Sequence, residues 1–163
     1  MYLTATNQSV NDIIIIMYGG LIIYFIYRQI KSIFEKRKIT GSDRHYFRKN
    51  ISKVMIALSS LIILFGIFNI VNKQYTNGGL MIAVVLILWV DIFDKIIITE
   101  DGIYGQGNYI TWDKVKKWGF DVESNEFVAL YKDGMSEKNI YIKVEKEHID
   151  EMNELIRHFK LKK

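Results

Sequence analysis

The chain has no cysteine and no proline. Without cysteine there is no disulfide framework, no thiolate metal site and no cysteine nucleophile. Without proline there is no proline-rich linker and no proline-kinked helix. Charge is also missing over a long stretch, since residues 54–71 hold no Asp, Glu, Lys or Arg. Half of the 163 residues are apolar and a quarter are charged, but the apolar ones concentrate before about Lys95. This segregation predicts a membrane region, residues 1–94, joined to one small soluble domain, residues 95–163.

Three runs have the length that a bilayer demands. Residues 11–27 carry one charge, Asp12; extended to residue 30 the run is about 20 residues, matching a hydrocarbon core of about 30 Å. In residues 54–71 the only strongly polar groups are Ser59, Ser60 and Asn69. Residues 80–93 are interrupted by Asp91 and reach spanning length as 78–94. A chain of this size has too little other material to bury three all-apolar helices, so three transmembrane helices are expected. Residues 1–11 contain no Lys or Arg, so the basic region of a cleavable signal is missing and the first helix is expected to stay as an anchor.

The charge balance gives the expected threading. Residues 1–12 contribute −1, residues 28–53 contribute +7, and residues 54–94 and 95–163 contribute −1 each. All the excess positive charge thus lies in one loop, which the positive-inside rule makes cytoplasmic. The N-terminus and the connection 72–79 then lie outside, and the C-terminal domain lies in the cytoplasm.

After Lys95 the pattern becomes short alternating runs separated by turn residues, the signature of antiparallel strands. Strands are expected at 95–99, 103–104, 108–112, 117–122, 126–131 and 139–144, with turns at Glu100-Asp101-Gly102 and Asp133-Gly134. From Glu147 the period becomes helical, and Ile149, Met152, Leu155, Ile156 and Phe159 form one apolar stripe. The expected domain is a small α+β antiparallel sheet closed by an amphipathic C-terminal helix.

The order Ile98-Thr99-Glu100-Asp101-Gly102-Ile103, then Tyr109-Ile110-Thr111-Trp112-Asp113-Lys114-Val115, two further strands and a closing helix resembles the bacterial pleckstrin-homology-like (PH-like) domains. It is similar in particular to the membrane-tethered YcxB-like group. The resemblance covers about residues 54–160. The chain differs from that group in its extra N-terminal span and in a soluble part of about 65 residues, with fewer strands than the full seven. What the resemblance implies is a cytoplasmic interaction or lipid-proximal module; it brings no catalytic residues.

Several residues suggest chemistry. Arg28, Lys31, Lys36, Arg37, Lys38, Arg44, Arg48, Lys49 and Lys53 are candidate contacts to anionic lipid, each able to contribute on the order of 1 kcal/mol before screening; the same charges would serve equally to fix topology. Asp91 is a candidate intramembrane polar residue, although Trp89 beside it and Asp94-Lys95 after it suggest an ion pair at headgroup level. Gly105-Gln106-Gly107 lacks the third glycine and the following helix of a nucleotide loop, so it is expected to end a hairpin. The series Asp121, Glu123, Asn125 has Glu126 where a calcium loop needs glycine. His148 and His158 lie ten residues apart on the last helix, about 15 Å along its axis, too far to share a metal, and His45 stands alone in the sequence. Ser59 and Ser60 have no base nearby. No metal, cofactor or catalytic constellation is expected. Nucleic-acid binding needs a basic folded surface, and residues 95–163 are net negative.

The expected function is therefore a non-enzymatic integral membrane protein presenting a cytoplasmic PH-like interaction module at the inner leaflet. Its partners would be the bilayer and a membrane or cytoplasmic protein, in a bacteriocin-immunity or envelope-associated role. The alternative is an accessory or oligomeric subunit of a membrane transporter.

Overall fold

A computed structural model describes residues 2–121 and 123–161. Val122, at the end of an expected strand, and Lys162 and Lys163 lie outside the described residues. The chain forms two compact units, Met1–Arg28 with Ser52–Asp91, and Gln29–Ile51 with Ile92–Lys163. They are interleaved along the sequence, so residues 29–51 of the cationic segment group with the C-terminal residues.

In the first unit, α1 begins a continuous helix, Tyr2–Arg37. The expected span 11–30 lies within it; the side chains of residues 2–12 and 14 are outside the described set. The helix does not stop where the apolar run stops, because Arg28, Gln29, Lys31, Glu35 and Lys36 are good helix formers. The first ten residues of the expected loop 28–53 are therefore helical.

Among the described residues, two helices are long and apolar enough to cross a membrane, α2 (Lys53–Val71) and α3 (Tyr75–Ile92). Three residues turn the chain between them. Lys73 takes a left-handed φ of 63°, and the N–H groups of Asn72, Lys73 and Gln74 bond the last carbonyls of α2, at Phe68, Ile70 and Asn69. The two backbones approach at Gly66 and Gly78, where a Cβ on Gly78 would lie 2.5 Å from the Gly66 carbonyl oxygen. Two polar contacts accompany this approach. The Trp89 indole donates to Ser59 Oγ at 3.0 Å, and Asn69 Nδ2 reaches Met81 Sδ at 3.5 Å. Gly19 and Gly20 of α1 have open space around them instead.

Among the described residues, the second unit holds seven strands in two antiparallel sheets. The first, in spatial order, is β1 (His45–Phe47), β2 (Ile96–Ile98), β3 (Gly102–Gly105) and β4 (Asn108–Thr111). The second is β5 (Val115–Asp121), β6 (Glu126–Asp133) and β7 (Ser136–Lys143). All six strands expected after Lys95 are present. The seventh, β1, comes from the middle of the cationic loop and pairs with β2 in the register His45↔Ile98, Tyr46↔Ile97, Phe47↔Ile96.

Turn chemistry fixes the hairpins. Gln106 and Gly107 both have positive φ, as a tight two-residue hairpin turn of the primed kind requires, so Gly105-Gln106-Gly107 does end a hairpin. Gly134 at φ 63° starts the β6–β7 turn. The expected Ile110-x-Trp112-x-x-Val115 element supplies three buried core residues, and the Trp112 indole donates to the Thr99 carbonyl at 2.9 Å.

A short 3-10 turn, Lys146–His148, leads into α4, Ile149–Leu161. Met152 and Ile156 are fully buried against Phe127, Ile142 and their neighbours, with Ile149, Leu155 and Phe159 packed beside them. Every residue of the expected stripe thus faces the core, and burial of side chains of this size contributes about 1.5–3 kcal/mol each.

Candidate functional site

The nine cations of the expected lipid-contact set do not form one surface. Arg28 pairs with Asp91 at 3.0 Å, so the expected ion pair at Asp91 is made by α1. Lys31 donates to Asn108 Oδ1 at 2.9 Å, and Lys38 pairs with Glu35 at 2.5 Å. Arg44 donates to the carbonyls of Gly41 and Ile39, while Arg37 lies over the Phe34 ring. Lys53 opens α2 and is exposed.

Lys36 and Lys49 belong to a network around Asp94, whose side chain is only 9% exposed. Lys36 Nζ lies 2.6 Å from Asp94 Oδ1, and Lys49 Nζ lies 3.9 Å from Oδ2. The Tyr104 hydroxyl donates to Asp94 Oδ2 at 2.6 Å, and Ser32 Oγ lies 2.6 Å from the same hydroxyl. A hydroxyl that gives its proton to a carboxylate must accept from its other partner, so Ser32 donates to Tyr104. Lys36 Nζ also sits 5.3 Å above the Tyr104 ring. The network joins α1, β3, the chain after β1 and the chain before β2. Sequence reading missed Tyr104 and Ser32, though the β3 alternation placed Tyr104 opposite its core-facing neighbour Ile103.

Beside this network lies a cleft of about 420 Å³ lined by Arg48, Lys49, Lys95, Asp94, Glu145 and the apolar Ile51, Ile92 and Phe93. Phe93 is 61% exposed. Three cations against two carboxylates, above an apolar wall, suit an amphipathic anion. The chain leaves this cleft at Ile51 to begin α2 at Lys53, and returns to it as α3 ends at Ile92. Of the expected lipid contacts, the structure brings Arg48 and Lys49 together here and adds Lys95, which sequence reading had considered only as a neighbour of Asp94.

The histidines are distributed differently from the expectation. His45 and His158 share one cleft of about 420 Å³, each with its ring beside Phe159, with Asp43, Glu151 and Glu154 also lining it. His45 is thus not isolated in space. The third, His148, stands edge-on to Phe47. Among the described residues no group of three or more His, Asp or Glu side chains has the arrangement of a metal site.

The series at 121–125 closes on itself. Asp121 Oδ2 accepts from Ser124 Oγ at 2.8 Å and Oδ1 from the Glu123 N–H at 3.0 Å. These bonds, that from Ser124 foremost, hold the Asp121 carboxyl below its ordinary range. Its oxygens are occupied by the β5–β6 turn.

Residues 94–161 match the family model described as a domain of unknown function, DUF5673. No curated protein matches the chain. The matched stretch starts at Asp94, at the Tyr104–Asp94 bond, and takes in β2–β7 and α4. It leaves out α1, β1 and the α2–α3 hairpin.

Proposed function

We propose that this chain is a non-enzymatic integral membrane protein in which apolar helices hold a PH-like interaction module against the inner leaflet. The observation that carries this reading is where the apolar hairpin sits in the chain. It is inserted between two paired strands. The chain leaves the first sheet at Phe47, passes through 19 and 18 residues of apolar helix, and re-enters at Ile96, the residue opposite Phe47.

The outward side chains of α2 include Val54, Met55, Leu58, Leu61, Leu64, Phe65 and Phe68, all exposed. In water such a surface would be heavily penalised; hydrocarbon accepts it without cost. The helical backbone satisfies its own hydrogen bonds, as a spanning segment must. The exposed apolar residues of α1, among them Ile16, Ile23, Tyr24 and Tyr27, favour the first span in the same way. Four strands and three, closed by a C-terminal helix, support the PH-like reading. The cationic cleft at Arg48, Lys49 and Lys95 would then meet phospholipid headgroups, and the protein-binding faces of the module would remain in the cytoplasm. A transport path needs uncommitted polar groups in its spans, whereas Asp91 is engaged by Arg28; this favours the adaptor over the transporter subunit.

Alkaline carbonate washing of membranes that contain the full chain tests the reading. The chain is expected in the membrane pellet. Release into the supernatant would end the proposal.

A further inference from the structure

We infer a second, separate anion site in this protein, a lysine-lined pocket that takes a phosphate group. The pocket, about 280 Å³, is built where the last turns of α1 meet β4, the β4–β5 turn and β6. Four ammonium groups line it, from Lys31, Lys38, Lys114 and Lys132, against two carboxylates, Glu35 and Asp133, which leaves a surplus of two positive charges.

Both carboxylates are already engaged. Glu35 Oε1 pairs with Lys38 at 2.5 Å, and its Oε2 accepts from the Tyr109 N–H at 3.4 Å. Asp133 Oδ2 pairs with Lys138 at 2.5 Å. Lys31 rests on the neutral Asn108 amide oxygen. Lys114 and Lys132 are held side by side by the backbone bond from the Lys132 N–H to the Lys114 carbonyl, 2.9 Å long. Lys31, Lys114 and Lys132 are therefore brought to one concavity by segments far apart in sequence; among the described residues none of the three has a carboxylate within ion-pair distance, although the charges of Lys31 and Lys114 reach Asp133.

The side-chain types indicate the ligand. With no arginine on its wall, the pocket offers no planar fork for a carboxylate; it offers compact point charges, which suit a tetrahedral, multiply charged oxyanion. The volume admits a diphosphate, or one phosphate with a small organic group. A soluble phosphate compound and a lipid headgroup share this chemistry. The site is distinct from the cleft at Arg48 and Lys95 and shares none of its lining residues.

The test is calorimetric titration of inorganic pyrophosphate into the full chain in neutral phosphatidylcholine nanodiscs at constant ionic strength. Saturable binding is expected. The double variant Lys114→Gln/Lys132→Gln should weaken it by at least about ten-fold, and the pair Lys116→Gln/Lys117→Gln, also exposed but outside the pocket, should leave it unchanged. Repeating the titration in discs that also contain phosphatidic acid identifies the source: an unchanged affinity supports a soluble phosphate, and a competitive loss supports a headgroup. Absence of saturable binding in neutral discs, or equal weakening by both double variants, would overturn the site. Since carbonate extraction reads only membrane retention, failure of the membrane reading and failure of this site are separate outcomes.

Discussion

The Tyr104 hydroxyl, on a side chain with no exposed surface, donates to Asp94 Oδ2 at 2.6 Å while accepting from Ser32. One phenol thereby ties α1 to the chain that leads from α3 into β2. Tyr104→Phe removes both bonds and keeps the ring that fills this part of the core. Because one of them reaches a charged group in a mostly buried setting, the expected loss is about 1.5–3 kcal/mol, read as a lower thermal midpoint of the detergent-solubilised chain. A midpoint equal to the wild type would show that the network adds nothing.

The α2–α3 approach gives a paired test. Gly78→Ala places a methyl group against the Gly66 carbonyl and Ile70, 2.5 and 2.6 Å away, whereas Gly79→Ala enters open space. Overpacking of this kind costs about 1–3 kcal/mol. The first variant should denature at lower detergent stress than the wild type. The second should match it or exceed it slightly, since alanine is the better helix former.

α4 closes the core through Met152 and Ile156, both fully buried. Truncating either to alanine should cost about 2–5 kcal/mol. Leu161→Ala, at an exposed position, should stay within about 0.5 kcal/mol. Chemical unfolding followed by Trp112 and Trp118 fluorescence reads both.

Asp133 supplies a pH test. The hydrogen bond from Lys138, then its charge, hold the Asp133 carboxyl below its ordinary range. A depressed folded value means that the contact stabilises fully above the unfolded pKa and is lost as pH falls through the folded one. Its effect is therefore confined to the acid region below the usual carboxylate range. The carboxyl carbon shift of Asp133 should titrate at lower pH in the wild type than in Lys138→Gln; identical curves would remove Lys138 as the cause.

Much of the second unit was legible in the sequence, for identifiable reasons. Strands β2–β7 announce themselves by alternation and by turn residues such as Gly107 and Gly134, and α4 by its stripe. β1 was hidden because three residues among cations carry no period of their own. Its place is set by Ile96, Ile97 and Ile98 across the ladder, a long-range partner that no local pattern reveals. The extension of α1 past residue 30 was hidden because hydropathy marks where lipid ends, while Lys31, Glu35 and Lys36 go on favouring helix. The cationic segment was visible as charge; its division among Asp91, Glu35, Asp94 and two pockets depends on contacts between distant parts of the chain.

The central claim is that the α2–α3 hairpin enters the bilayer with the seven-stranded unit on the cytoplasmic side. The lack of native cysteine makes it directly measurable, by labelling single cysteines with a membrane-impermeant maleimide. Gln74→Cys, in the α2–α3 turn, should react in intact cells, and Met135→Cys, in the exposed β6–β7 turn, should react only after the membrane is opened. Labelling of Met135→Cys in intact cells, or protection of both positions until lysis, would contradict the account.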